Sequence, residues 1–155
     1  MMKTLIILMF LAILVGFTYQ IFVVYTTANN VSTAVQRSIM TVASVNMPDL
    51  FDSFKEGGAE VSDLTKLVTA KELSEDLCEE LGLESTATEL IKPSSTGGWF
   101  YRILDLEVKA ENLAAGSGTV HYTADFTLEI PVAEYWSFGS FKIPMHVQAK
   151  YTNKY

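Results

Sequence analysis

Charge is missing from the opening of this sequence: no residue between Lys3 and Arg37 is ionised, and no proline precedes Pro48. Nothing there must reach water, and nothing breaks a helix. The single cysteine, Cys78, excludes an intrachain disulfide and a cysteine-based zinc site. It reads as a half-buried small apolar residue. Cations are scarce, 11 Lys and Arg against 18 Asp and Glu, for a net charge of −7. Phosphate affinity needs clustered Lys and Arg, so the balance argues against nucleic acid, and against docking of the acidic part on anionic lipid headgroups. Signatures of catalysis are missing too: there is no G-x-S-x-G, no glycine-rich loop between strand and helix, and no H-E-x-x-H. His121 and His146 fall on the polar face of two strands expected to pair, but no third ligand accompanies them. They read as exposed strand histidines. No enzyme activity, catalytic residue, metal, cofactor or small-molecule substrate is expected.

What the opening does contain is an apolar run. Residues 4–25 are apolar almost all the way round, and as a helix they would be about 33 Å long, enough to cross a bilayer core. The chain is 49% hydrophobic with a mean hydropathy of +0.23, high for a soluble protein and natural for one with a single span. Its 155 residues leave room for one small domain besides the span. A secretory signal has a shorter apolar core and a small-x-small cleavage site. Here the run is longer, Phe17 to Tyr25 offers no such site, and Thr26-Thr27-Ala28 fits only loosely and lies too far along, so a retained anchor is expected. Residues 1–3 make a cytoplasmic stub, with Lys3 on the short side and twelve acids against four lysines in residues 48–95. The positive-inside rule then puts the C-terminal domain outside the cytoplasm. Ala12, Gly16 and Gln20 recur every four residues and share a helix face. Small residues at that spacing let helices approach closely, with the Gln amide bonding across the contact. Tyr19 and Tyr25 suit the outer interface.

Residues 26–47 continue the helix in amphipathic form. Val31, Ala34, Val35, Ile39, Val42 and Val45 follow helical spacing and predict a stripe that packs on a sheet. Pro48 is expected to close the helix. Residues 48–98 read as an acidic connecting region of short helices and turns. Its best helix begins at Thr69, with Glu72 in the capping-box position, Gly82 near the end, and an apolar stripe of Leu73, Leu77, Cys78 and Leu81. The acids of this helix lack calcium-loop spacing and read as a solvated face. Lys92 to Gly98 is a linker by composition. In residues 99–155 three runs alternate with a period of two, carrying apolar residues at Leu104 to Ala110, Val120 to Val132 and Phe141 to Tyr151. An antiparallel meander of three to four strands follows, with one face wet and the other covered by the stripe from Val31. The fold class is α+β. Tyr135, Trp136 and Phe138 fall in a turn, where they would form an exposed partner-binding tip or fold back over the core.

A spanning helix that continues as an amphipathic one, then a connecting region, then an antiparallel sheet laid on that helix, resembles the pilin plan. In particular the chain is similar to TadE-like pseudopilins, minor subunits of tight-adherence pilus systems. The resemblance rests on the helix of residues 4–47 and on the final strand FKIPMHVQAKYTNKY. It implies a membrane-anchored subunit that self-assembles, or co-assembles with other pilin-like subunits, into a cell-surface filament. One departure stands out. Pilin leaders are cut after a Gly at the cytoplasmic face, usually with a Glu five residues on. Here Ile21 occupies that position after Gly16, and twelve uncharged residues precede Gly16. Processing by a prepilin peptidase is therefore not carried over. The other functional class open to such a chain is a stand-alone anchored domain that binds a ligand or membrane partner through Tyr135, Trp136 and Phe138.

Overall fold

The computed structural model describes residues 2–55, 67–95, 97–112, 119–133 and 136–152. These form two helices, α1 (Met2–Lys55) and α2 (Ala70–Leu81). Five strands follow: β1 (Glu84–Ser85), β2 (Glu89–Pro93), β3 (Trp99–Asn112), β4 (Thr119–Ala133) and β5 (Trp136–Thr152). Two units divide the chain, residues 1–31 and residues 32–155. The first is the apolar part of α1. The second holds the rest of α1, α2 and the strands.

In the second unit the strands form one antiparallel sheet in chain order, β1-β2-β3-β4-β5. Strict alternation in β4 sends Val120, Tyr122, Ala124, Phe126, Leu128 and Ile130 to one face, and all six are buried. Their neighbours on β5 include Val147 opposite Ala124 and Ala149 opposite Tyr122, which are buried as well. The helix layer covers this face. Ala34, Val35, Ile39, Val42 and Ala43 recur at three- and four-residue steps and are buried, Val35, Ile39 and Ala43 completely. Each large apolar side chain so buried contributes roughly 1.5–3 kcal/mol. The Gln36 amide donates to the Gln148 carbonyl at 3.2 Å, fastening α1 to β5. The expected α+β architecture, a long N-terminal helix packed on an antiparallel meander, is the one adopted.

The shorter helix, α2, is fixed by local chemistry. Thr69 accepts from the Glu72 backbone N–H through its side chain, and the Glu72 carboxylate accepts from the Thr69 N–H, a complete capping box. Gly82, at φ +61°, ends the helix in the left-handed region. Leu73 and Leu77 face the core. The Ser38 hydroxyl donates to Glu80 at 3.1 Å and the Asn46 amide to the Leu67 carbonyl at 2.7 Å, so α1 is tied to both α2 and the segment before it.

Four details depart from the sequence expectations. First, the sheet has five strands, because residues 84–93 contribute β1 and β2; runs of two and five residues are too short to show a period. Lys92 is accordingly part of a strand and not of a linker. Its ammonium donates to the Leu81 carbonyl at 2.5 Å, where α2 leaves acceptors unpaired and its dipole is negative. Second, α1 runs through Pro48 to Lys55. Proline removes the hydrogen bond to the Ser44 carbonyl, and because Ser44 and Pro48 both face solvent, water can satisfy that acceptor. Third, Val45 lies on the stripe of α1 yet is 68% exposed. Fourth, β3 changes phase. Tyr101 and Ile103 are buried, with Ile103 opposite Leu128, whereas farther on Val108 stands opposite Ala124. Between Leu104 and Glu107 the register shifts, so that Asp105 and Leu106 together face Phe126, a β-bulge.

Asp105 carries the cost of that bulge, with φ at +54°, the one non-glycine residue of the described chain in the left-handed region. Asp105→Gly is expected to raise stability by about 0.5–1 kcal/mol and Asp105→Val to lower it by about 1–2 kcal/mol. Urea denaturation of the variants checks both signs; equal stability of the three proteins would remove strain from the account of this bulge.

Candidate functional site

Two surfaces of the chain carry features that packing alone does not explain: the apolar part of α1 and the outer face of the sheet. In the first unit, most large apolar side chains from Leu5 to Tyr25 are more than half exposed, Val23 and Val24 being the half-buried exceptions. Burying so much apolar surface is favourable only in lipid or against another apolar surface. α1 is the one helix of the described residues long and apolar enough to cross a membrane, and it fits a single-pass anchor. Polar groups within it are managed locally, as the Thr18 hydroxyl donates to the Leu14 carbonyl at 2.9 Å. Ala12 and Gly16 are exposed on the shared face and Gln20 is half-buried. A Cβ placed on Gly16 would meet no atom within 4 Å, so nothing among the described residues requires a glycine there. Of the stripe residues, Val35, Ile39 and Val42 are buried in the second unit, and Val31, at the end of the first, is buried too.

On the outer face of the sheet, register collects two polar clusters. Arg102 stands opposite Glu129 in the β3–β4 ladder and beside β2. Its guanidinium donates to Glu129 at 2.9 Å and to Glu89 at 3.2 Å, and stacks 4.3 Å over the Trp99 ring. Ser140 of β5 donates to the other Glu129 oxygen. Arg102 and Glu129 together thereby join four strands, and the Glu129 carboxylate is only 5% exposed although it lies on the outer face. The second cluster centres on Asp125, which bonds His146 Nδ1 at 2.6 Å and pairs with Lys109 at 3.5 Å. Glu107 also reaches Lys109, at 3.4 Å, and Gln148 holds His146 Nε2 at 3.0 Å. The hydrogen bond from His146, then the His146 and Lys109 charges, hold the Asp125 carboxyl below its usual range. The hydrogen bond and charge of Glu107, then those of Asp125, raise the Lys109 ammonium above its usual value.

His121 and His146 do not meet. His121 pairs with Lys150 and His146 with Asp125, four positions apart on β4, about 13 Å along the strand. Among the described residues no group of three or more His, Cys, Asp or Glu is placed to hold a metal. Cys78 is half-buried on α2, and burial followed by the Glu75 charge raises its thiol pKa, which disfavours the thiolate. Of the aromatic tip, Tyr135 lies outside the described residues. Trp136 and Phe138 are part of β5, which starts opposite Ala133, and so belong to a strand and not to a turn. Sequence reasoning passed over Arg102, Glu89 and Glu129, because their proximity exists only once three strands are in register. The one local signal was an arginine and an aromatic, Trp99, entering the same strand.

No family model, curated protein or solved structure matches the chain.

Removing Arg102 would leave Glu129 buried without its cation. Arg102→Met is expected to destabilise the protein by up to about 3 kcal/mol, at the low end for a buried pair because Arg102 is partly exposed. Arg102→Met combined with Glu129→Gln should recover much of that loss, since no unpaired charge then remains. Chemical denaturation of the single and double variants measures the difference; an unaffected single variant would show that the pair is solvated. A second expectation concerns acid. A carboxyl whose folded pKa is depressed adds stability above its unfolded value, near 4, and loses it as pH falls through the lower folded value. Asp125→Asn should therefore flatten the fall of the melting temperature below about pH 4. Parallel curves for the two proteins would refute it.

Proposed function

We propose that the protein is a pilin-like subunit of the TadE-like pseudopilin type, anchored by α1 and assembling through it into a cell-surface filament or its assembly machinery. The supporting observation is the double character of α1. Its apolar part presents a surface with no use in water, and its later part supplies the helix layer of an α+β head. Withdrawing an apolar helix from lipid is favourable when other apolar helices receive it, which is how a membrane pool of such subunits can become a filament. On this reading the head lies outside the cytoplasm, opposite Lys3, in keeping with the positive-inside rule. The role is structural: neighbouring subunits and lipid are the partners, and no substrate or nucleic acid is involved. Ala12, Gly16 and Gln20 form the helix-packing face.

Mechanical shearing of cells tests the filament. Recovery of the protein in sheared fibres is expected; retention of every copy in the membrane fraction leaves only a basal role in the assembly machinery. The packing face has its own test. Gly16→Leu removes a glycine from a helix interior and so favours the helix itself by roughly 1 kcal/mol. Self-association measured by crosslinking in membranes should nonetheless weaken, because a leucine keeps the backbones apart. Unchanged association for both Gly16→Leu and Gln20→Leu would remove this face from the assembly.

A further inference from the structure

On the solvent side of the helix layer, Thr33, Arg37, Met40 and Thr41 of α1, with Glu80 of α2 and Lys150 of β5, line an open groove of about 660 Å³. Neither Arg37 nor Lys150 has a carboxylate at ion-pair distance among the described residues, in a chain whose net charge is −7. A second groove, of about 250 Å³, shares Thr41 with the first and is lined by Val45 and by Glu75, Asp76 and Glu79 of α2. Of these acids, Glu75 reaches Lys71 at 3.8 Å, while Asp76 and Glu79 have no cation partner among the described residues. Each groove also holds an exposed apolar side chain, Met40 in the first and Val45 in the second.

We propose that the two grooves are the two halves of a contact between copies of this chain, with the acidic face of α2 in one copy seated against Arg37 and Lys150 of the next. Arg37 and Lys150 on one side and Asp76 and Glu79 on the other are complementary and have no ion-pair partner among the described residues, and the contact would cover both exposed apolar side chains. Because the two surfaces differ, the acids of one copy meet the cations of the next, and like does not meet like. Exposed ion pairs are individually weak. The contact therefore operates between copies held in one membrane or filament, and in that respect rests on the assembly reading.

The crosslinking pair itself leaves every charge in place. In full-length chains carrying Cys78→Ser, Met40→Cys is introduced into one population and Val45→Cys into another, and the two are co-expressed in membranes and oxidised. A disulfide-linked mixed dimer is expected, with little dimer from either population alone. Raising salt from about 0.1 M to about 1 M, which shortens the Debye length from about 10 Å to about 3 Å, should reduce the dimer several-fold. Arg37→Glu in the Met40→Cys chain should do the same, and Glu79→Arg in the Val45→Cys chain should restore it. Absence of the mixed dimer, equal dimer in the single populations, or indifference to Arg37→Glu each overturns the proposal. So does protection of Met40→Cys from alkylation by inorganic phosphate without mixed dimer, which would assign the groove to a free anion. A Gly16→Cys crosslink run in parallel separates the two ideas: if it persists while the groove dimer is lost, only the groove contact falls, and if both are lost the assembly reading falls with it.

Discussion

A sheet that turns Tyr122, Phe126, Leu128 and Ile130 to the same side must have that side covered. In this chain the cover comes chiefly from the far end of the sequence, where Val35, Ile39 and Ala43 reach zero exposure. The remaining contacts elaborate that one burial. Gln36 fixes α1 along β5, and Ser38 and Asn46 hang α2 and its leading segment on α1. Lys92 then fastens the end of α2 to β2. Hydrogen bonds of this kind add about 1 kcal/mol each, well below what the buried apolar face supplies. They decide where the helices lie more than whether they stay.

The outer face works by different physics. Its side chains cancel one another's charge. Arg102 serves two carboxylates, and Asp125 takes both His146 and Lys109. The two clusters are not equivalent. Glu129 is nearly inaccessible, so its pairing is a condition of folding there, whereas Asp125 is open to water and its pairing is screened. The acidic excess is left to α2, whose face is solvated.

Legibility in the sequence followed the range of the interaction. The ends of α2 were readable because a capping box and a left-handed glycine each involve neighbours in the chain: Thr69 with Glu72, and Gly82 with the turn before it. β4 was readable because seven apolar residues alternate without a break. β1 and β2 were not, since a two-residue strand has no period. The bulge at Asp105 shows only when β3 is laid beside β4, and the Arg102 cluster only when β2 is added. Pro48 was misread because the usual rule assumes that a lost hydrogen bond has no other partner. On the candidate surfaces, the spacing of Ala12, Gly16 and Gln20 was plain, while the grooves beside Met40 and Val45 required α1, α2 and β5 to be placed together.

The order in which the core is assembled bears on how the protein is made. Ala43 and Val147, both in the core, are separated by about a hundred residues, and synthesis at roughly 5–20 residues per second takes about 5–20 s to cover that distance. During that interval the stripe of α1 has already emerged, and the strand that completes its cover has not yet been made. Local contacts cannot shorten the delay, because β5 is the last element and β4 needs it as a neighbour. Such a nascent chain exposes an apolar helix face for seconds. It is in that window, before the last strand arrives, that a holding chaperone has most to offer it.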